Sequence, residues 1–317
     1  MSLDVFMIVS SSSLVEEIWA NPQLDQSFTA ALRQVYHPTD QSALAYHLAL
    51  LPYFFCEMHG GSYEQALPIV TAWNLLRHSA RLLDNIEDGH HIVTQDQMAV
   101  DLNLSTGLLF TVGLVLDSLE TYGVSSAAAR DVRRTFYFAL LQTCAGQHVD
   151  LSNSSPSLED SWQIAAAKSG IGTGAVCWAG GRIVCSDQDT LVQYRQFGYN
   201  LGLLDQIHDD LADLAVTETG QSDLRAAVRH TLPIAYALTV LPGAQRDQLR
   251  YLLQTSHAEL AQEALARQLI IKSGAALYLM TQAKLYHQQA TNLLKTMYAS
   301  HETKSKLQQL LDKFVLF

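Results

Sequence analysis

Apolar residues recur at intervals of three and four along most of the chain, the spacing that lines one face of an α-helix. The pattern predicts long helices over residues 63–88, 98–122, 127–151, 160–185, 191–214 and 245–265. About ten to twelve helices are expected in all. Pro22, Pro38, Pro52, Pro68, Pro156, Pro233 and Pro242 fall at or near the edges of such segments, where a missing N–H and a ring clash end a helix. No stretch alternates apolar with polar residues in the way a half-buried strand would, so no sheet is expected. Loops are expected at residues 60–61, 153–156 and 217–220. None is long enough to be an interdomain linker, and one all-α helical-bundle domain over residues 1–317 is the economical expectation. Residues 102–116 are apolar nearly all round, which suits a helix in the middle of a large bundle.

Composition narrows the function. Of 317 residues, 48% are hydrophobic and 16% charged, and 20 Lys and Arg face 31 Asp and Glu for a net charge of -11. The bases are scattered, so no stripe exists that would neutralise a nucleic-acid backbone. The longest stretches free of Asp, Glu, Lys and Arg are residues 41–56 and 230–245, shorter than the roughly 18 to 20 apolar residues that span a bilayer. The apolar patch at residues 5–9 has no Lys or Arg ahead of it, as a secretory signal would require. A soluble, cytoplasmic protein without a membrane span is expected. Cys56, Cys144, Cys177 and Cys185 share no paired spacing and read as reduced core residues.

The acids matter where they cluster. Asp84 and Asp88 stand four apart on one helix, one above the other. About 120 residues later Asp205, Asp209 and Asp213 repeat the step, with Asp210 beside them. Two solvated faces would explain either group alone. Both, however, are embedded in apolar helices (Leu75, Leu76, Leu82, Leu83; Leu201, Leu203, Leu204, Ile207, Leu211), where unpaired carboxylates are costly. A divalent cation resolves that conflict, and hard oxygen ligands suit Mg²⁺ completed by substrate phosphates.

These residues resemble the trans-isoprenyl diphosphate synthases, the polyprenyl synthetase family of the class I terpenoid synthase superfamily. The family's first D-D-x-x-D motif is matched by Asp84-Asn85-Ile86-Glu87-Asp88 with one substitution, and its second in full by Asp209-Asp210-Leu211-Ala212-Asp213. Gly198, Gly202 and Gln206 match the family's G-x-x-x-G and Gln before the second motif. Gly146-Gln147-His148-Val149-Asp150-Leu151 fits G-Q-x-x-D-L, Lys168-Ser169-Gly170 fits K-T-G, and Arg229-His230-Thr231-Leu232-Pro233 resembles K-x-T-L-P with Arg for Lys.

The resemblance implies a helical bundle around a central cavity, a homodimer, and an allylic isoprenyl diphosphate of the farnesyl or geranylgeranyl class as substrate. It implies three Mg²⁺ ions bound with the diphosphate by Asp84, Asp88, Asp209, Asp210 and Asp213. Lys168, Arg229, Gln206 and Arg81 would hold the diphosphate, with Asp84, Asp88, Asp209 and Lys168 carrying the catalysis. Asn85, Gln147, Asp150 and Asp205 would orient those groups from behind. Ser79, Ala80, Leu76 and Trp73 would form the floor of the hydrocarbon pocket, at a depth that suits fifteen to twenty carbons. Asp205, where the family has Phe, reads as an extra acid of the metal shell, as the base for the final proton, or as the partner of a nearby base. Arg77 and Arg81 would replace a lost diphosphate arginine or pair within their own helix. Trp178, Phe197 and Tyr199 would face a carbocation or simply pack the core. His90, His91, His148 and His208 neighbour the motifs without an assigned role.

One block is missing. Chain-elongating members bind isopentenyl diphosphate through G-G-K-R-x-R-P near the start and an Arg pair after the first aspartate motif. This chain has Gly60-Gly61-Ser62-Tyr63-Glu64-Gln65-Ala66 at the first place and Gly89-His90-His91-Ile92-Val93-Thr94 at the second. Each lost charge-assisted contact is worth roughly 1.5–3 kcal/mol. The expectation is therefore Mg²⁺-dependent ionisation followed by cyclisation, the chemistry of a terpene synthase and a lyase. The alternatives are a chain-elongating prenyltransferase with basic residues supplied from elsewhere, and a non-catalytic partner subunit.

Overall fold

A computed structural model describes residues 3–36, 47–87, 94–152, 157–214, 231–255 and 260–314. Among them the secondary structure is helical throughout, as the apolar spacing predicts. In chain order the α-helices are α1 (Leu3–Trp19), α2 (Gln26–Val35), α3 (Leu51–Glu57), α4 (Tyr63–Glu87), α5 (Gln95–Asp117), α6 (Ser126–Ser152), α7 (Leu158–Ala165), α8 (Ile171–Arg182), α9 (Gln188–Ala212), α10 (Leu232–Val240), α11 (Gly243–Thr255), α12 (Leu260–Lys272), α13 (Ala275–Thr296) and α14 (His301–Lys313).

Local signals set the boundaries. Asp25, Thr94, Ser157, Asp187 and Ser300 cap the starts of α2, α5, α7, α9 and α14 by accepting backbone N–H bonds. Leu51, Phe54, Phe55, Leu75, Leu108, Phe197 and Leu204 belong to one large apolar cluster fed by most helices. A smaller cluster joins α10, α11, α12 and the start of α13 through Ile234, Leu249, Ile270 and Ala275.

Three expectations are corrected. Residues 160–185 do not form one regular helix: α7 and α8 are joined by a π-helical turn, Ala166–Gly170, the kind of bulge that recurs at functional sites. Residues 245–255 and 260–265 belong to two helices, α11 and α12, packed on each other.

The third concerns α5, which packs only one side on its neighbours. Leu104, Leu108, Val112 and Val115 are buried, while Phe110 is 74% and Leu114 57% exposed. Gln95–Glu120 is also long and apolar enough to cross a membrane by length and composition alone, a property that core helices of soluble proteins share.

Candidate active site

The close approach of α9 to α8 builds the site. A Cβ on Gly198 would overlap the Thr173 carbonyl, and one on Gly202 the Ser169 carbonyl, so only glycine lets the two backbones meet there. One turn above Gly202, the Ser169 hydroxyl donates to Gln206 Oε1 at 2.8 Å. Gln206 Nε2 donates in turn to Asp210 Oδ1 at 2.9 Å, and Asp210 Oδ2 accepts the Leu232 backbone N–H at 2.9 Å. This relay runs from the π turn through α9 to the first turn of α10. The same turn presents Lys168, whose Nζ lies 3.0 Å from Asp150 Oδ2 on α6.

Several expected roles change here. Asp210 is 4% exposed and both its oxygens already accept hydrogen bonds. It holds Gln206 and α10 in place, and the expected role of metal ligand does not suit it. Gln206 has both amide atoms engaged in the same framework. Asp150 is the counter-charge of Lys168.

Along the exposed edge of α9 the charges are less satisfied. Asp209 is 71% exposed in its side chain and sits 3.7 Å from His208 Nδ1. Its hydrogen bond, followed by charge from Asp209 and Asp205, raises the His208 pKa against the effect of burial. Burial first, and the Asp209 charge second, push Asp205 up to about 7, while Arg77 of α4 and His208 pull it down. Burial pushes Asp210 up to about 7 as well, against the hydrogen bonds from Gln206 and Leu232. Asp213 caps the end of α9, its backbone N–H bonded to the Asp209 carbonyl.

The α4 side carries Asp84 and Arg81 exposed and Arg77 and Asn85 half-buried. Glu87 accepts a hydrogen bond from the Gln147 side chain, which ties the end of α4 to α6. Asp88, His90, His91 and Arg229 lie outside the described residues. No three His, Cys, Asp or Glu side chains among the described residues converge to hold a metal ion. The donor chemistry nonetheless fits a hard divalent cation. Asp84 and Asp209 offer exposed carboxylates, and Asp205 lies close enough to Asp209 for their charges to interact.

The expected pocket floor is partly redirected. The Ser79 hydroxyl bonds Ser105 Oγ at 2.7 Å, so it fastens α4 to α5. Trp73 Nε1 donates to the Leu48 carbonyl at 2.8 Å, Leu76 is half-buried and Ala80 is exposed. Phe197 is fully buried against Phe55, and Trp178 lies beneath Arg195, so packing accounts for both. The basic block of the elongating members is replaced by a capping pair. The Ser62 N–H donates to Gln65 Oε1 at 3.0 Å and the Gln65 N–H to Ser62 Oγ at 3.3 Å.

Motif reading had no signal for the Ser169 relay, because Thr or Ser at that position reads only as part of K-T-G. It also passed over the Glu87 pairing with Gln147, which joins residues sixty apart in sequence.

Residues 48–270 match the sequence profile described as polyprenyl synthetase. Over 207 residues the chain is 29% identical to a geranylgeranyl diphosphate synthase of Mycobacterium tuberculosis, a match that covers 61% of this chain and 58% of that protein. Solved structures share the fold. A polyprenyl synthase from Caulobacter crescentus, in complex with calcium and isoprenyl diphosphate, has a TM-score of 0.82 at 20% identity, covering 99% of this chain and 95% of that one. A geranylgeranyl pyrophosphate synthetase from Pyrococcus horikoshii has a TM-score of 0.80 at 20% identity, covering 98% and 97%.

Proposed function

The chain belongs to the polyprenyl synthetase family, and from that premise we propose that it is a prenyltransferase that ionises an allylic isoprenyl diphosphate, releasing diphosphate, and passes the allylic group to isopentenyl diphosphate, which then gives up a proton. The observation that carries the ionising step is the relay from Ser169 through Gln206 and Asp210, which sets the turn bearing Lys168 against the acidic end of α9.

Breaking a C–O bond to diphosphate moves a full negative charge onto the leaving group, and fixed positive charge must meet it there. Lys168 supplies one such charge, and Asp150 keeps its side chain extended until an anion competes for it. Asp84 and Asp209, with Asp88 from beyond the described residues, would hold Mg²⁺. When bound, Mg²⁺ would neutralise the diphosphate as a Lewis acid. Asp205 beside Asp209 has the environment of a carboxyl that can take up a proton near neutrality, because burial disfavours its charge. Arg77 of α4 opposes that shift through its charge.

Similarity to geranylgeranyl diphosphate synthases favours chain extension over the cyclisation expected from the motifs. One observation keeps cyclisation as a second reading: Ser62 and Gln65 cap α4 where elongating relatives carry a basic block. A homodimer is part of the proposal. The exposed apolar stripe of α5 (Met98, Leu102, Phe110, Leu114) forms a face that a second copy would cover.

Purified protein with Mg²⁺ and farnesyl diphosphate is the test, with and without isopentenyl diphosphate. Extension predicts a longer diphosphate only when both substrates are present. Cyclisation predicts a volatile hydrocarbon or alcohol and released diphosphate from farnesyl diphosphate alone, and no release under either condition would leave the non-catalytic subunit.

A further inference from the structure

Behind the π turn, on the surface of the bundle, lies a second cavity of about 480 Å³. Its floor is the outer face of α8 and its walls are α6 and α9, with Gly170 and Gly174 letting α9 close against α8. A Cβ on Gly174 would come within 2.8 Å of the Arg195 carbonyl, and one on Gly170 within 2.9 Å of the Tyr199 ring. Arg195 stands fourteen residues before Asp209 on α9, about 21 Å along the helix. The groove is therefore separate from the acidic end of that helix.

Its charge is unlike the rest of the molecule. The chain carries a net -11, yet Arg134 and Arg195 both line this groove and neither has a carboxylate partner among the described residues. Each guanidinium rests on an aromatic face, Arg134 at 5.8 Å from the Phe138 centroid and Arg195 at 5.1 Å from that of Trp178. Ring faces hold a guanidinium in place while leaving its N–H edge for an acceptor. Burial lowers the Arg195 pKa, as expected of a cation without a counter-charge. Phe138, Ile171 and Ala175 supply an apolar track beside the two heads. The volume falls inside the range of about 300–1,000 Å³ typical of small-molecule sites.

We propose that this groove binds a small amphipathic anion, its phosphate or carboxylate head on Arg134 and Arg195 and its hydrocarbon tail along α8. An isoprenyl phosphate and a fatty acid share that chemistry. The site also touches the catalytic framework from behind. Gly170 is both the last residue of the π turn and part of the groove rim, with Tyr199 packed on it. An occupant that presses on Tyr199 steadies the turn that presents Lys168 and Ser169.

The test uses full-length protein in EDTA, so that binding does not depend on a metal or on the proposed reaction. Farnesyl monophosphate and palmitate are titrated separately by calorimetry. Saturable binding of either is expected, and the tighter one identifies the source of the anion. Arg134→Gln and Arg195→Gln are each expected to weaken it about tenfold. Asp209→Asn is expected to leave it unchanged. Absence of saturable binding, indifference to both arginine changes, or loss in Asp209→Asn would overturn the proposal. So would a dimer that dissociates in sedimentation when Arg134 and Arg195 are changed, because the groove would then be filled by a second copy. Hydrogen exchange reads the link to the turn: bound anion slows the amides of residues 166–170, and unchanged exchange at saturation sinks that link.

Discussion

The acidic ends of α9 and α4 face the same chemistry but are built differently. On α9 the polar groups form a continuous, mostly buried chain of hydrogen bonds: Ser169 to Gln206, Gln206 to Asp210, Asp210 to the Leu232 N–H. Lys168 joins it from the same turn, paired with Asp150. On α4, Asp84 and Arg81 are exposed, and the link to another helix at that end is the Gln147 bond to Glu87. A buried network fixes geometry because every unmade bond in it costs desolvation. An exposed carboxylate makes its contacts in competition with water, so its position is less strictly set. The contrast makes α9 the fixed half of the cleft and α4 the half that adjusts.

If that contrast is right, the largest effect comes from the fixed half. Lys168→Ala should lower diphosphate release by about 10²–10³-fold, the range seen when one preorganised charge-stabilising donor is removed. Arg81→Ala, on the adjusting half, should cost less than about tenfold. Equal losses in steady-state kinetics would erase the distinction.

Stability should divide the same way. Asp210→Ala leaves the Leu232 N–H and the Gln206 amide without an acceptor, so it should cost about 2–4 kcal/mol and lower Tm by several degrees. Asp84→Ala removes an exposed group and should stay within about 0.5 kcal/mol while activity falls. A thermal melt of the two variants decides it, and an Asp84→Ala protein as unstable as Asp210→Ala would mean α4 is prewired too.

The pH response sharpens the picture at Asp205. Burial and Asp209 push it up to about 7 in the folded protein, against the opposing pull of Arg77 and His208. In the unfolded chain it returns to an ordinary carboxylate near 3.8. The folded state therefore holds an extra proton between these values. Its stability contribution falls as pH rises through that window and stays low above about 7. In EDTA, the Tm of the parent protein should drop more between pH 5 and pH 8 than that of Asp205→Asn. Parallel curves would show that Asp205 is already ionised at pH 5.

The helices were legible because apolar spacing and capping residues are local: α4, α6 and α9 begin and end within a few residues of where the pattern places them. Asp84, Lys168 and Asp209 were marked as candidates for the site by the motifs they sit in. What the sequence hid was use. Whether a carboxylate faces a ligand or caps a helix depends on which backbone N–H lies across from it, and Asp210 and Asp209 are adjacent residues with opposite fates. The same holds for α5, whose uniform apolarity reads as a buried helix although half of it is exposed.

The smallest expected effect tests a fastening of the adjusting half. Gln147 donates to Glu87 across sixty residues of sequence and ties α6 to that end of α4. Gln147→Ala removes a single partly buried hydrogen bond, worth about 0.5–1.5 kcal/mol. Because Glu87 stands three residues after Asp84, the loosened turn should weaken ground-state capture of the diphosphate more than the bond-breaking step. KM for farnesyl diphosphate should rise a few-fold, with kcat within about twofold of the parent. Glu87→Gln, whose side-chain oxygen still accepts, should behave like the parent. A drop in kcat as large as that of Lys168→Ala would place Gln147 in the fixed network instead, and the division between the two helices would have to be redrawn around α6.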